Sequence, residues 1–178
     1  MHMNRNLIII ALLVLLFNPL FAQIEHNEES HIVKYKNAAA LFVGSTIITP
    51  SGFNLPTIGI EYAREINHYV GIGVIAEVEI GSHIVQKNEE GEMVSEVHRE
   101  GAFLVLPSVF ARIYKGLIFN AGFGVEFESH ENLALLKIGL EYKLAMHNPR
   151  WIVLPTVSWD HTKLFNGFVY GVNFGYKF

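Results

Sequence analysis

The sequence predicts an all-β protein, an eight-stranded antiparallel up-and-down barrel that crosses a membrane. Eight segments alternate apolar with small or polar residues, and turn-like stretches separate them. Hydrophobic residues make up 51% of the 178-residue chain and charged residues only 17%. A period of two places alternate side chains on opposite faces of a strand, and segments of this length cross a bilayer when they are tilted.

The last segment, Gly167–Phe178, has the clearest pattern. From Phe168 onward every second residue is apolar, and the residues between them are mostly small or polar. The seven other predicted strands are Asn37–Ile48, Leu55–Ile66, Tyr69–Val85, Ala102–Tyr114, Leu117–Ser129, Leu133–Met146 and Trp151–Asp160. Pro107 and Pro155 fall inside two of these strands, where each removes a ladder donor, so we expect bulges or irregular pairing there.

The amino-terminus has the pattern of an export signal. Arg5 precedes an apolar run over Leu7–Phe17, and Ala22 is a small residue at the expected cleavage point. The run is 11 residues long, which is short of the roughly 20 that a spanning helix needs. We therefore divide the chain into a signal peptide (1–22), a polar periplasmic lead-in (23–36) and the barrel (37–178).

The connections predict the orientation. With both termini in the periplasm, tight turns fall on the periplasmic side and the longer connections, including the charged loop 86–101, fall outside the cell, as in outer-membrane barrels.

The face opposite the apolar stripe decides which side of each strand points outward. A soluble barrel would turn its apolar residues inward, whereas a bilayer requires apolar residues outside and tolerates paired charges inside. The opposite face is rich in charges and glycines, so we expect a polar lumen. The predicted lumen charges are Glu61, Glu65, Glu77, Glu79, Arg112, Glu126, Glu128, Lys137, Glu141, Lys143 and Lys177.

The export signal, the eight alternating strands and the terminal Tyr176-Lys177-Phe178 resemble the small outer-membrane barrels of the OmpX-like and OmpA-barrel-like superfamily. The resemblance covers the whole mature chain. It implies a location in the outer membrane of a Gram-negative bacterium, surrounded by outer-membrane lipid. It also implies that the barrel assembly machinery reads the carboxy-terminal strand through Phe174, Tyr176 and Phe178.

Three functions remain open at this stage. The favoured one is a structural or extracellular-interaction protein with a filled lumen, in which loop 86–101 is a possible site for a partner. The alternative is a narrow small-solute or cation pore, because acidic residues dominate the predicted lumen. A lipid-modifying enzyme is a third interpretation, with Ser129 or Ser158 beside His130, Asp160 or His161, but neighbouring residues of a strand point to opposite faces.

Other classes find little support. Four histidines, His83, His98, His130 and His161, fall near the predicted outer rim without a diagnostic metal-ligand spacing. The absence of cysteine excludes disulfides and thiolate sites, and a net charge of −4 without a basic stripe argues against nucleic-acid binding. We expect no cofactor, no metal and no catalytic residue.

Overall fold

The computed structural model describes residues 35–49, 51–87, 95–128 and 132–178. The predicted signal peptide and most of the lead-in lie outside this range. Within it, Tyr35–Phe178 forms one compact unit, and no helix there has the length and hydropathy for a membrane crossing. The strands are β1 (Asn37–Thr49), β2 (Phe53–Glu65), β3 (Val70–Lys87), β4 (Ser95–Tyr114), β5 (Leu117–Phe127), β6 (Asn132–Tyr142), β7 (Trp151–Thr162) and β8 (Asn166–Lys177).

These strands form a closed antiparallel barrel in which each strand pairs with its neighbours in the sequence. The ring closes between β1 and β8 along an unbroken register from Ala38↔Lys177 to Thr49↔Asn166. Reciprocal backbone hydrogen bonds of 3.1 and 2.8 Å between Asn37 and Phe178 extend this seam to the last residue. The predicted eight-stranded antiparallel barrel is confirmed.

The two ends of the barrel differ. The end that holds Asn37 and Lys177 also holds the β2–β3, β4–β5 and β6–β7 connections, and we call it the proximal end. The β1–β2, β3–β4, β5–β6 and β7–β8 connections lie at the other end, which we call the distal end.

The largest departure from the predicted strands is in the β3–β4 hairpin. The sequence predicts a loop over 86–101, but β3 continues to Lys87 and β4 already begins at Ser95; residues 88–94, like the side chains of 82–100, lie outside the described part. Strands of 18 and 20 residues are about twice the length that a bilayer needs. The predicted strands therefore stop short of the hairpin tip, since the sequence predicts that β3 ends at Val85 and that β4 begins at Ala102.

A register shift marks the base of this hairpin, between Glu79 and Ser82. Gly81 and the facing Gly101 have φ values of 142° and 51°, in the region where side chains are strongly disfavoured. A bulge of this kind bends the strands locally. It therefore lies where the hairpin leaves the regular barrel.

The prolines cause the expected irregular pairing, but no bulge. Pro107 pairs with Val74 and Pro155 pairs with Val172, without a shift in register. The irregularity is a gap on the other flank of each strand: β4 and β5 lack pairs between Val105 and Ser108, and the β6–β7 ladder stops at Thr156. A missing N–H interrupts one ladder and leaves the other intact.

The outer surface of the barrel is apolar along its whole circumference. Its exposed side chains include Leu41, Ile60, Val74, Val109, Phe123, Leu140, Val157 and Phe174. Exposed aromatic side chains lie toward both ends: Tyr62, Tyr69, Tyr114 and Trp151 at the proximal end, and Phe53, Phe103, Phe127, Trp159 and Phe168 toward the distal end. An apolar band between two aromatic girdles is typical of barrels that lie in a bilayer.

Two paired glycines make room for a ring inside the barrel. Gly44 and Gly171 face each other across the β1–β8 seam, and a Cβ atom on either would come within 2.6 Å of the Phe42 ring. Phe42 is buried and points into the lumen. The glycines therefore let a large side chain fill the barrel at the seam.

Replacing Gly171 by alanine should lower the free energy of unfolding by about 1–3 kcal/mol, because the added methyl group overpacks this site. Urea unfolding of the refolded protein in micelles measures the change. Gly167→Ala is the matched control on the same strand, since its Cβ would come no closer than 3.2 Å to Thr46. An equal loss in both variants would contradict the tight packing of Gly171 against β1 and the Phe42 ring.

Candidate functional site

The eleven charged residues selected from the sequence all lie on the inner face of the barrel. Six of them are buried, Glu61, Glu77, Glu79, Glu126, Lys137 and Glu141. The other five are partly exposed: Glu65, Arg112, Lys143 and Lys177 at the proximal end and Glu128 at the distal end. The lumen is therefore the place where the chain concentrates chemistry.

Lys137 is the buried cation among the side chains that the structure describes, with 2% of its surface exposed. Its Nζ donates to Glu77 Oε2 at 2.9 Å and lies 3.0 Å from Asp160 Oδ2. Ser158 Oγ is a third neighbour at 3.5 Å. An ammonium group in a narrow lumen loses its hydration, and two carboxylates replace that hydration here.

Amides and hydroxyls surround the other central carboxylates. Asn120 Nδ2 donates to Glu141 Oε1 at 2.5 Å, and Asn173 Nδ2 lies 3.4 Å from Glu61 Oε2 and 3.3 Å from Thr156 Oγ1. The cavity between these groups has a volume of about 10 Å³, close to the space of one water molecule. We call these residues, together with Glu77, Lys137, Ser158 and Asp160, the central network.

The sequence analysis did not assign Asp160, Ser158, Asn120 or Asn173 to the lumen network. The alternation sets Ser158 and Asp160 on the polar face of their strand, where they are candidate catalytic groups but not predicted lumen charges, and both are buried beside Lys137. Ser129, His130 and Glu131 lie outside the described residues. Strand parity places Asp160 and Ser158 on the inner face of β7, so the alternation itself contained the missing signal.

Apolar side chains also fill much of the lumen, which the sequence analysis did not predict. At the distal end Ile48, Leu55, Leu133 and Phe165 form one cluster. A second cluster comprises Ile75, Ala102, Leu104, Leu106, Phe110 and Leu135. Strands such as β4 are apolar on both faces around Phe103–Leu106, and periodicity cannot show inward apolar residues where both faces are alike.

The proximal end opens into a cavity of about 90 Å³, which we call the proximal mouth. Glu65 Oε1 lies 2.9 Å from Lys177 Nζ and 3.7 Å from Arg112 Nη2. Arg112 Nη1 is also 3.3 Å from His68 Nδ1. Lys36, Arg64, Lys143 and the deeper Glu61 and Glu141 complete the charged lining.

Just outside this mouth, Arg150 links Tyr35, which precedes β1, to Tyr176 on β8. The Arg150 guanidinium donates to Tyr35 Oη at 2.6 Å and to Tyr176 Oη at 3.0 Å, and it lies 4.6 Å from the centre of the Tyr35 ring. Trp151 packs edge-on against Tyr176. Of the predicted assembly residues, Phe174 and Phe178 project outward and Tyr176 is held by these contacts.

Of the four histidines predicted at the outer rim, the structure describes the side chain of His161. His161 is exposed, lies 2.7 Å from Asn166 through Nδ1 and stacks on Trp159. The side chains of His83, His98 and His130, with Glu89, Glu90, Glu92 and Glu131, lie outside the described part. Within that part no group of three or more histidine or acidic side chains has metal-binding geometry.

Comparison with known proteins identifies similar barrels but no close relative. No family model matches the chain, and no curated protein matches it. The crystal structure of Ail, the attachment invasion locus protein of Yersinia pestis, aligns at 12% identity over 81% of this chain and 99% of that one, with a TM-score of 0.46. The structure of the same protein in a phospholipid bilayer nanodisc aligns at 12% identity over 80% and 99%, with a TM-score of 0.48.

The CymD monoaromatic hydrocarbon channel aligns at 11% identity over 70% of this chain and 35% of that one, with a TM-score of 0.33. At such identities the likeness extends only to the shape of the barrel. The function of this chain therefore has to be argued from its own residues.

Replacing Lys137 by methionine should cost about 3–5 kcal/mol of folding free energy, because it leaves Glu77 and Asp160 buried without their cation. Urea unfolding in micelles measures this loss. Adding Glu77→Gln and Asp160→Asn to the same chain should restore much of the stability, since the buried charges are then gone. Lys163→Met, at an exposed distal position, is the control. Equal stability of Lys137→Met and Lys163→Met would contradict the central network.

Proposed function

We propose that this chain is an integral outer-membrane protein of a Gram-negative bacterium, with a filled lumen and a structural or extracellular-interaction role. The observation that supports this most strongly is that apolar side chains lie on the outside of the barrel and charged side chains on the inside, the reverse of a soluble protein. Ile60 is 64% exposed on the outside while the neighbouring Glu61 is buried inside. Such a surface is stable only where the surroundings are hydrocarbon and the backbone is fully paired.

The orientation follows from the two ends. The proximal end holds the start and the end of the barrel together with tight turns such as Lys115–Gly116. The distal end carries the long β3–β4 hairpin. Outer-membrane barrels have short periplasmic turns and longer extracellular connections, so we place the proximal end in the periplasm.

The described lumen favours a filled barrel over a pore. Leu104, Leu106 and Leu135 are at most 1% exposed in the interior, and the Ile48–Phe165 cluster occupies the distal end. The central cavity has room for a single water molecule. An eight-stranded barrel is just wide enough for side chains to fill it.

The proposal implies two binding partners in addition to lipid. The barrel assembly machinery would engage the outward face of β8, where Phe174 and Phe178 are exposed. An extracellular partner would meet the β3–β4 hairpin, because its long strands reach beyond the length required to cross the bilayer.

If the barrel lies in a membrane, the stability cost of a charge on its outer surface should depend on the depth of that charge in the bilayer. Ile60→Arg places a charge on the apolar belt and should cost about 2–4 kcal/mol in a bilayer, whereas Ile66→Arg, just beyond the proximal end of β2, should cost at most about 1 kcal/mol. Both side chains are exposed and apolar, so the pair is matched. Unfolding from phospholipid vesicles measures the difference. Equal and negligible costs would indicate that water surrounds the barrel.

The filled lumen predicts that the protein conducts no ions. Liposomes that contain the refolded, inserted protein should show the ion and solute flux of empty liposomes, since apolar side chains obstruct the lumen. Flux that falls on Glu77→Gln or Glu126→Gln would overturn the filled barrel in favour of a cation pore. A larger barrel of known conductance, inserted in the same way, is the positive control.

A further inference from the structure

The proximal mouth combines a half-open cavity with an unequal charge balance. Five basic residues line it: Arg112 and Lys177 on the inner faces of β4 and β8, Lys36 just before β1, Lys143 just after β6, and Arg64 on β2. At the same level the described lining carries a single carboxylate, Glu65, and two of those cations already approach it. Glu61 and Glu141 lie one layer deeper, where Asn173 and Asn120 are their neighbours.

The deeper wall of the mouth is apolar. Phe110, Ile118, Ile152, Leu154 and Ala63 line it, and Ala63 and Ile118 pack against the Leu104–Phe110 cluster. Water in contact with such a wall has few partners, so an apolar group would displace it favourably. The mouth therefore offers cations at its rim and hydrocarbon at its base.

We propose that the proximal mouth binds a small amphipathic anion, a carboxylate or phosphate carried on about three or four carbons. The anionic group lies at the rim, where Arg112 and Lys177 donate charge-assisted hydrogen bonds, and the hydrocarbon part contacts Ile118 and Ile152. Apolar walls with a few placed polar groups are the usual composition of ligand sites, and guanidinium and ammonium groups are the usual partners of such anions.

The volume sets the size of the ligand. A cavity of about 150 Å³ holds a benzene molecule, whereas the mouth measures about 90 Å³. A chain of three or four carbons fits that space, and a longer chain would have to extend out of the mouth.

The binding itself does not depend on which side of the membrane the mouth faces.

Glu65 distinguishes this site from a merely structural ion cluster. Its carboxylate competes for the same two cations as the ligand. Glu65→Gln removes that competitor and makes the rim more positive, so it should tighten anion binding. A residue that only held the fold together would not produce a gain of affinity when it is neutralised.

The test uses the full barrel in nanodiscs of zwitterionic lipid, titrated with butyrate and followed by the methyl resonances of Ile118 and Ile152. We expect saturable shifts, a dissociation constant raised at least about tenfold by Arg112→Gln or Lys177→Gln, and one lowered severalfold by Glu65→Gln. Lys163→Gln, a lysine at the distal end, should leave the constant unchanged. Two rim variants are used so that poor folding of either one does not decide the result.

Three further titrations decide the chemistry. n-Butanol tests the apolar part without the charge, and inorganic phosphate tests the charge without the apolar part. Equal affinity for either one and for butyrate would overturn an amphipathic site, as would an unsaturable response or an equal loss in Lys163→Gln. Butyl phosphate should bind like butyrate.

Nanodiscs that contain anionic phospholipid separate the sources of the ligand. If anionic lipid displaces butyrate, the site is occupied by lipid headgroups; if it does not, the ligand is a free solute. Both results retain the mouth as the binding site, and the absence of butyrate binding in either lipid overturns it.

Discussion

Backbone hydrogen bonding is the constraint on which the rest of this structure depends. In hydrocarbon an unpaired N–H or C=O group costs several kcal/mol, so a sheet that crosses the bilayer must close on itself. The continuous β1–β8 register, the reciprocal bonds between Asn37 and Phe178, and Arg150 between Tyr35 and Tyr176 all serve that closure. The prolines obey the same constraint, because each interrupts one ladder and leaves the other intact.

Closure also determines where polar groups lie. Because the outer face is apolar, charges are concentrated on the inner face, and eight strands leave a lumen too narrow for full hydration. Lys137 therefore lies between Glu77 and Asp160, and amides contact Glu61 and Glu141. Breaking such a buried network is costly even though forming it contributes little net stability. The apolar clusters fill the space that the charges do not occupy.

The character of the lumen changes along the barrel axis. It is apolar at the distal end, rich in carboxylates around Lys137, and lined by Arg112, Lys143 and Lys177 at the proximal mouth. The first two zones are packed with side chains, which suits a structural element of an envelope. Among the described residues the mouth combines a cavity of about 90 Å³ with ionic groups that reach solvent, which is why the proposed binding site lies there.

The sequence by itself determined the fold class, the strand count and the outward face, because a period of two and a bilayer-length segment are local properties. The alternation alone also identified Glu77, Lys137 and Lys177 as lumen charges. Tertiary structure decided which charges meet, since Lys137 and Glu77 lie on strands that are not neighbours in the barrel. It likewise decided the inward leucines of β4 and the length of the β3–β4 hairpin. The sequence pattern shows which side of a strand points inward only where the two sides have different surroundings. Which side chains meet across the lumen depends on how the whole barrel closes.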